Sequence, residues 1–533
     1  MQANGNSDLN QEGGPTADVD DNSAEINSLS AHKDETATSV TTQRLSEPSA
    51  ESSVVLSFAS LLVGLITGAA AYYIGEYWIQ PEQNITLAFT ILAFILSCGT
   101  SWLLLAEPGD YIRPVVIAAG IGVGIALPSY YLTSMLGASD QNLTEFPAVF
   151  WYLCAGPLVG YLLIVVTKAS LQSRLIPNYS AVFFHGLTVP LITGGAGLLA
   201  GLALALLFAW AALLNSMGVS FFRELFSESI FVLPFLGAIA GLAVSMMRAQ
   251  QSVLGALRYI LLLFSRIFMA ITAILSVTFL MVLVAKGVTP IYDLAFSPAA
   301  TMTSLAFAGM LIFNGVYQNG EGAPPNLWLR IATIISLIAF PVYSGLAAHA
   351  LLLRIDDYGL TPPRIVAITM AALAFSYSIV CIGGLLSELN WRGKQWMSLV
   401  RPLNILMTFV WIVALFLVSS PIVNPWAQSA LSQEALLREQ KIDTDNFDFG
   451  YLRFKLGRYG DAALERLYND ASHPEASTIR REIDRVQAAE NYYQLKYPSE
   501  ATEPQQTAPG DVESGPMGLE LNPEGAPTEN DTP

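Results

Sequence analysis

The feature that most constrains the fold is a series of long apolar runs between residues 51 and 420. This block of 370 residues has 14 acidic and 14 basic side chains, so it has no net charge and each run is almost free of charge. Soluble globular proteins have about 25% charged residues, whereas this chain has 13%. A helix needs about 20 apolar residues to cross the hydrocarbon layer of a membrane. The sequence therefore predicts a protein that crosses the bilayer many times.

Eleven stretches of the middle block are long and apolar enough to be membrane spans. Backbone groups in lipid must be hydrogen-bonded within the protein, and the alternating pattern of membrane strands is absent, so helices are predicted. The predicted spans are residues 54–79, 85–105, 114–136, 147–167, 185–214, 230–247, 259–285, 298–318, 327–353, 362–386 and 398–420. The predicted fold class is all-α, a polytopic transmembrane helix bundle with a small helical C-terminal unit and disordered termini.

The fifth predicted span leaves two alternatives open. Residues 178–201 contain Pro190 and the pair Gly194 and Gly195, and both residue types weaken the interior of a helix. This stretch fits either an interfacial segment followed by one span, or a broken helix. If it crossed the membrane twice, the C-terminus would move to the other side.

The net charge of −17 lies in the two ends of the chain. Residues 1–50 hold 9 acidic and 2 basic residues and few side chains that could form a core, which predicts a disordered acidic tail. After the bundle at 51–420, residues 421–497 are predicted to form a small helical extramembrane domain. Its predicted helices are 427–440, 461–467 and 475–493. Residues 498–533, rich in Pro, Glu, Thr and Gly, are predicted to be a disordered acidic tail.

Sequence motifs for several chemistries are absent. There is no GxxxxGK, HExxH or GxSxG motif, and Cys98, Cys154 and Cys381 have no metal-ligand spacing. Clustered Lys and Arg residues, which bind nucleic acid, are also missing. No catalytic residue, metal or cofactor is therefore predicted, and no nucleic-acid partner. The predicted partners are the lipid bilayer and a protein that binds the C-terminal unit, while the oligomeric state stays open.

The densest polar signal lies between the ninth and tenth predicted spans. Gly359 suits the end of one helix, Thr361 can cap the next, and Pro362 suits its first turn. Two interpretations stay open: a capped turn with arginines that reach the interface, or a polar site for a charged headgroup or a partner. The candidate residues of that site are Arg354, Asp356, Asp357 and Arg364.

Three further candidates lie within predicted spans. Arg266 is the strongest, because a charge in lipid costs several kcal/mol, although it could instead reach the nearby interface. His185 and His349 are single imidazoles, which suit hydrogen-bonded packing or a functional role. Asn314 and Asn404 can hydrogen-bond across helices.

Glycine pairs at a spacing of four residues let helix backbones approach closely in lipid. Five of the predicted spans contain such a pair, which favours a tightly packed bundle. The pairs are Gly64 with Gly68, Gly120 with Gly124, Gly156 with Gly160, Gly197 with Gly201, and Gly237 with Gly241.

One motif resembles that of a known family. Residues 354–364 read RIDDYGLTPPR, which is similar to the RIxxYGLTPxR signature of bacterial multi-pass membrane proteins in domain-of-unknown-function family 4153. Residues 210–222, WAALLNSMGVSFF, and 451–460, YLRFKLGRYG, are similar to that family in character. The resemblance covers roughly residues 50–470 and implies a bacterial inner-membrane location. It implies no activity, ligand or catalytic residue.

Three functions fit these features. The first is a non-enzymatic scaffold, assembly or envelope-regulating protein that acts through the C-terminal unit. The second is a secondary transporter or lipid-translocating protein, since transporters often bind substrate at broken helices. The third is a membrane-embedded enzyme that modifies a lipid, which would need an acid, base or nucleophile cluster that the sequence does not show.

The distribution of Lys and Arg predicts the orientation in the membrane, because cytoplasmic loops carry the excess. Loops on the side of the N-terminus hold 11 such residues and the opposite loops hold 4, so a cytoplasmic N-terminus and a periplasmic C-terminus are predicted. Alkaline phosphatase fused after Pro425 should therefore be active. An inactive phosphatase together with a fluorescent GFP fusion at the same position would contradict this prediction.

Overall fold

The computed structural model describes residues 50–79, 84–135, 146–173, 176–292, 297–322, 324–389 and 396–490, together with Tyr492 and Leu495. Within these ranges the chain is helical, apart from turns and one isolated bridge between Glu107 and Asp110. Eleven helices are long and apolar enough to cross a membrane, which confirms the predicted multi-pass helical bundle. The two tails predicted to be disordered lie outside the described residues, except for Ala50.

The spans are formed by helices α1–α3, α4 with α5, α6, α8, α9 and α11–α14. A π-helical turn at Trp151–Ala155 joins α4 to α5. The helices of the bundle are α1 (Ala50–Tyr77), α2 (Ile85–Leu105), α3 (Ile112–Ser134), α4 (Phe146–Phe150), α5 (Gly156–Ser173), α6 (Tyr179–Ser216), α7 (Phe221–Ser227), α8 (Ser229–Ala249), α9 (Gln251–Lys286), α10 (Thr289–Tyr292), α11 (Pro298–Tyr317), α12 (Leu327–Tyr358), α13 (Pro362–Leu389) and α14 (Val400–Val418).

Helix α6 shows neither of the two alternatives open for the fifth span. It is one continuous helix of 38 residues, about 57 Å long at 1.5 Å per residue, and runs through Pro190. Pro190 has no N–H to donate to the carbonyl of Gly186, four residues earlier. The hydroxyl of Tyr161 on α5 donates to that carbonyl at 2.7 Å, so the bond lost at the proline is replaced from a neighbouring helix.

The C-terminal part of the chain also folds as helices, in agreement with the sequence. Its elements are α15 (Pro425–Arg438), α16 (Phe449–Lys455), α17 (Gly457–Asn469) and α18 (Ala476–Ala488), with a 3₁₀ turn at Thr444–Asn446. Side chains such as Trp426, Leu452 and Ile483 are buried, and their cluster is continuous with the core of the bundle. We call residues 421–490 the C-terminal unit.

Contacts of the C-terminal unit show that α6 crosses once. Met135 follows α3, the third span, and its carbonyl oxygen would lie 2.8 Å from a Cβ on Gly457. Gly359 follows α12, the ninth span, and lies against Leu436 of α15. The ends of the third and ninth spans lie on the same side of the bundle only if each span between them, α6 included, crosses once. Both ends contact the C-terminal unit, so α6 crosses once. We call this side the C-terminal face and the opposite side, where α1 begins, the N-terminal face.

The antiparallel helices α1 and α8 pack with their backbones in direct contact. A Cβ on Gly64 would overlap the carbonyl oxygen of Gly237, and a Cβ on Gly241 would overlap that of Ser60. The hydroxyls of Ser57 and Ser245 also hydrogen-bond across this contact at 2.9 Å. Two of the predicted glycine pairs therefore pack against each other.

The remaining glycine pairs do not make such contacts between spans. Added Cβ atoms would meet open space at Gly120, Gly124, Gly197 and Gly201. Gly156 packs against Trp151 of its own span. The prediction that glycine pairs bring helices together is thus confirmed for α1 and α8 only.

Substitution Gly64→Leu should destabilise the protein by about 1–3 kcal/mol or more, because the new side chain would overlap the α8 backbone. Thermal unfolding of the purified protein in detergent measures this effect. Gly120→Leu is the control, since it makes the same change at an open position in another span. Equal unfolding temperatures for the two variants would contradict the proposed packing.

Candidate functional site

The hairpin between α12 and α13, residues 354–364, forms the capped turn that the sequence allows. Gly359 has φ +69° and ends α12. Arg364 donates from Nη1 to the carbonyls of Tyr358 at 3.0 Å and Gly359 at 2.6 Å. These carbonyls lie at the end of α12, where no intrahelical donor is available. Arg364 therefore stabilises the turn itself.

The other candidate residues of the hairpin face outward. Arg354, Asp356 and Asp357 are exposed, and no ion pair joins them among the described residues. His349 lies on the same helix and is also exposed. The four candidate residues thus lie along one hairpin, and they line neither of the two cavities described below.

The backbone of the same hairpin binds the C-terminal unit. The N–H of Leu360 donates to Ser432 Oγ at 2.9 Å. Gln433 Nε2 donates to the carbonyls of Tyr358 at 3.0 Å and Leu360 at 3.1 Å. A Cβ on Gly359 would lie 2.6 Å from Leu436 Cδ1, so the glycine allows α15 to approach the turn.

A second contact holds the unit at the end of α3. The hydroxyl of Tyr131 donates to Asn424 Oδ1 at 2.9 Å, and Asn424 Nδ2 donates to the Tyr459 hydroxyl at 2.9 Å. The ring of Tyr131 lies edge-on to Trp426, with centroids 6.2 Å apart. Two separate attachment points therefore fix the orientation of the unit on the bundle.

Inside the unit, a buried carboxylate is held by two arginines. Glu434 is 6% exposed. Arg466 donates to its Oε2 from Nε at 2.9 Å and from Nη2 at 2.6 Å, and Arg438 pairs with its Oε1 at 2.9 Å. Arg438 also lies 3.8 Å from Asp470, whose pKa is lowered from its ordinary value by the hydrogen bond from the Ser472 side chain and by that from its backbone N–H. These interactions join α15 to α17.

A groove lies on the C-terminal unit between α16, α17 and α18, with a volume of about 800 Å³. Different residues from those that contact the hairpin form this groove. Arg453 pairs with Asp461 at 2.6 Å, whereas Glu465 and Asp484 have no ion-pair partner among the described residues. The lining residues are Arg453, Asp461, Leu464, Glu465, Tyr468, Asp484 and Gln487. The groove therefore carries a net negative charge.

Arg266 lines a cavity of about 530 Å³ at the N-terminal face. The cavity lies where α9 meets the end of α11 and the beginning of α12, and Trp396 forms part of its wall. Sequence reasoning identified Arg266 but missed Trp396, because the residues that meet here are far apart in the chain. This cavity is the second candidate site.

The two candidate histidines lie at opposite faces of the bundle. His185 near the start of α6 is buried, and its Nε2 has no hydrogen-bond partner in the described part of the chain. Its ring lies edge-on to Phe184 at 5.2 Å. Arg258 from α9 lies over the other ring, 4.3 Å from the Phe184 centroid, and donates to Thr188 at 2.9 Å. No local sequence pattern predicts this contact between α6 and α9.

A buried polar network connects four spans. Asn404 Nδ2 donates to Asn314 Oδ1 at 2.9 Å, as the sequence suggested, and also to the Tyr179 hydroxyl at 2.8 Å. Asn314 Nδ2 donates to the Tyr377 hydroxyl at 2.7 Å. Neither tyrosine was predicted to take part, because a tyrosine in a span carries no sequence signal for a polar contact. The network joins α6, α11, α13 and α14.

The described residues contain no group of three His, Cys, Asp or Glu side chains that could hold a metal ion. Cys381 is buried, Cys98 is half-buried and Cys154 is exposed, and all three are free thiols.

Comparisons with models of known protein families, with curated proteins and with solved structures found no match. The resemblance to domain-of-unknown-function family 4153 stays a prediction.

Substitution Gly359→Ala should weaken the attachment of the C-terminal unit by about 1–3 kcal/mol, since alanine is strained at this positive φ and its Cβ would press on Leu436. Hydrogen exchange in α15 should become faster. Gly218→Ala is the control, because Gly218 has φ +89° but open space around its Cβ. Equal exchange in α15 for both variants would contradict the docking role of Gly359.

Proposed function

We propose that this protein is a non-enzymatic scaffold or assembly protein of a bacterial inner membrane, which presents its C-terminal unit to a protein partner. The single observation that carries this proposal is the attachment of the unit to the bundle at two points. The hairpin contact at Ser432 and Gln433 and the Tyr131 contact at Asn424 hold the unit in one orientation. A unit held in this way offers a partner a surface at a fixed position above the membrane.

The proposed orientation puts the N-terminus in the cytoplasm and the C-terminal unit in the periplasm. The excess of Lys and Arg in the loops of the N-terminal face supports the first part. The single crossing of α6 supports the second, because the number of spans is then odd. The resemblance to family 4153 supports the bacterial inner membrane as the location.

The acidic groove is the surface that we assign to the partner. Asp461 is neutralised by Arg453 at 2.6 Å, which leaves Glu465 and Asp484 as uncompensated carboxylates near the exposed ring of Tyr468. Such a groove fits a segment of the partner that carries Lys or Arg, since charge complementarity favours the encounter and the register of binding. The Tyr468 ring already has the Arg480 guanidinium of this chain over it, 5.9 Å from its centroid, so the two carboxylates provide the attraction for the partner.

A secondary transporter or lipid-translocating protein is the second candidate function, and the Arg266 cavity favours it. An arginine within a span that lines a cavity is a candidate for substrate binding. The broken helix that would have supported transport is not formed, because α6 is continuous. Scaffolding therefore accounts for more of the structure.

The proposal predicts that the double variant Glu465→Lys with Asp484→Lys no longer binds its partner. A photo-crosslinking amino acid at Tyr468 should trap one protein in cells that carry the unaltered groove, and this product should disappear in the double variant. The double variant should also fail to complement a strain that lacks the gene.

Asp445→Lys is the control, because Asp445 is exposed on the same unit and does not line the groove. It should retain both the cross-linked product and complementation. A double variant that behaves like this control would contradict the assignment of the groove as the binding surface for the partner.

A further inference from the structure

The cavity at the N-terminal face has the chemistry of an anion site. Arg266 has no hydrogen-bond or ion-pair partner among the described residues, and no Asp or Glu lines the cavity. Glu321 is the acidic residue of the adjoining loop, and it is already bound by Arg401 at 2.8 Å and Ser180 at 2.6 Å. The exposed guanidinium is therefore available to a ligand in the cavity.

Two further sets of donors line the same space. Trp396 is 6% exposed, and its indole N–H is buried without an acceptor in the described chain. The first turn of α12 contributes Asn326, Trp328 and Leu329. The first N–H groups of a helix have no intrahelical acceptor and carry a partial positive charge, so this turn also favours an anion. At the start of this helix, Asn326 Oδ1 accepts a hydrogen bond from the N–H of Leu329 at 3.1 Å.

Aromatic packing holds the wall of the cavity in place. The Tyr317 hydroxyl donates to the Met397 carbonyl at 3.1 Å, and its ring lies 5.8 Å from that of Trp396. Tyr317 also lies 6.2 Å from Tyr179, which belongs to the buried polar network of the bundle. The donors are thus supported by packed residues of several spans.

Apolar side chains surround the mouth of the cavity on the membrane-facing surface. Ile267 and Trp328 are 50% and 81% exposed. Leu263, about one turn before Arg266 on α9, is also exposed. A ligand held here by its charge would therefore place its remaining atoms against apolar surface and lipid.

The geometry points to a binding site for the phosphate headgroup of an anionic phospholipid, with the acyl chains lying along the exposed face of α9. Arg266 would donate to the phosphate oxygens, and guanidinium–phosphate pairs are often bidentate. The Trp396 N–H would gain the acceptor that it lacks. This inference is independent of the partner assigned to the C-terminal unit, because the two surfaces lie at opposite faces.

Full-length protein in detergent, stripped of lipid, can be titrated with phosphatidylglycerol and followed by native mass spectrometry. Phosphatidylglycerol should bind, and Arg266→Gln should weaken binding about tenfold or more because a charge-assisted hydrogen bond is lost. Arg266→Lys should keep part of the affinity, since it retains the charge without the planar fork. Trp396→Phe should weaken binding while the unfolding temperature of the lipid-free protein does not fall.

Arg113→Gln is the matched control. Arg113 is an exposed arginine at the N-terminal face, at the start of α3, and it does not line the cavity. Its substitution should leave phosphatidylglycerol binding unchanged. Equal affinities for wild type and Arg266→Gln, or equal losses for Arg266→Gln and Arg113→Gln, would overturn the site. Displacement of the lipid by inorganic phosphate at similar concentration would overturn its assignment to a lipid.

Discussion

The interior of a bilayer offers no water to the peptide backbone, and the local structure of the spans depends on this constraint. Each backbone polar group must find a partner inside the protein. Hydroxyls such as Thr67 and Ser344 donate to carbonyls one turn earlier in their own helices. At Pro190 the helix has no donor of its own, and Tyr161 provides one from α5. Helix α6 can therefore stay continuous where its sequence suggests a break.

The same requirement applies at helix ends and explains how the bundle is joined to the C-terminal unit. Arg248 donates to the carbonyl of Leu103 at the end of α2, and Arg364 does the same at the end of α12. The turn after α12 still offers the N–H of Leu360 and two carbonyls. Ser432 and Gln433 bind these groups. A turn that ends a membrane helix is thus also the attachment point of an extramembrane unit.

The charged surfaces of the protein are separated along the bundle. The C-terminal face carries the acidic groove, and the N-terminal face carries the cavity with Arg266. Helix α12 begins at the cavity and ends at the hairpin, over 32 residues or about 48 Å. One helix therefore connects the cavity to the hairpin that holds the C-terminal unit, and the proposed ligands of the cavity and the groove, an anionic lipid and a basic protein segment, have opposite charges.

The membrane class, the eleven spans and the helical C-terminal unit could be predicted from the sequence, because long apolar runs and helical periodicity are local properties of a chain. The hairpin was recognisable for the same reason, since Gly359, Thr361 and Arg364 lie within six residues. The partners of these residues could not be predicted. The contact of Leu360 with Ser432 joins residues 72 positions apart, and no local pattern records such a pairing.

The sequence by itself determined which segments are spans, since transfer into lipid depends on the apolar side chains within a single segment. It did not determine their ends, because the helix of the fifth span runs over Tyr179–Ser216 and that of the seventh over Gln251–Lys286, beyond the predicted 185–214 and 259–285. Only the tertiary structure decided that α6 crosses once, that one of the glycine pairs packs against another, and that Arg266 shares a cavity with Trp396. The physical reason is that these features depend on which helices are neighbours. In lipid, packing and hydrogen bonds between helices choose the neighbours, and apolarity, which nearly all spans share, does not distinguish among them.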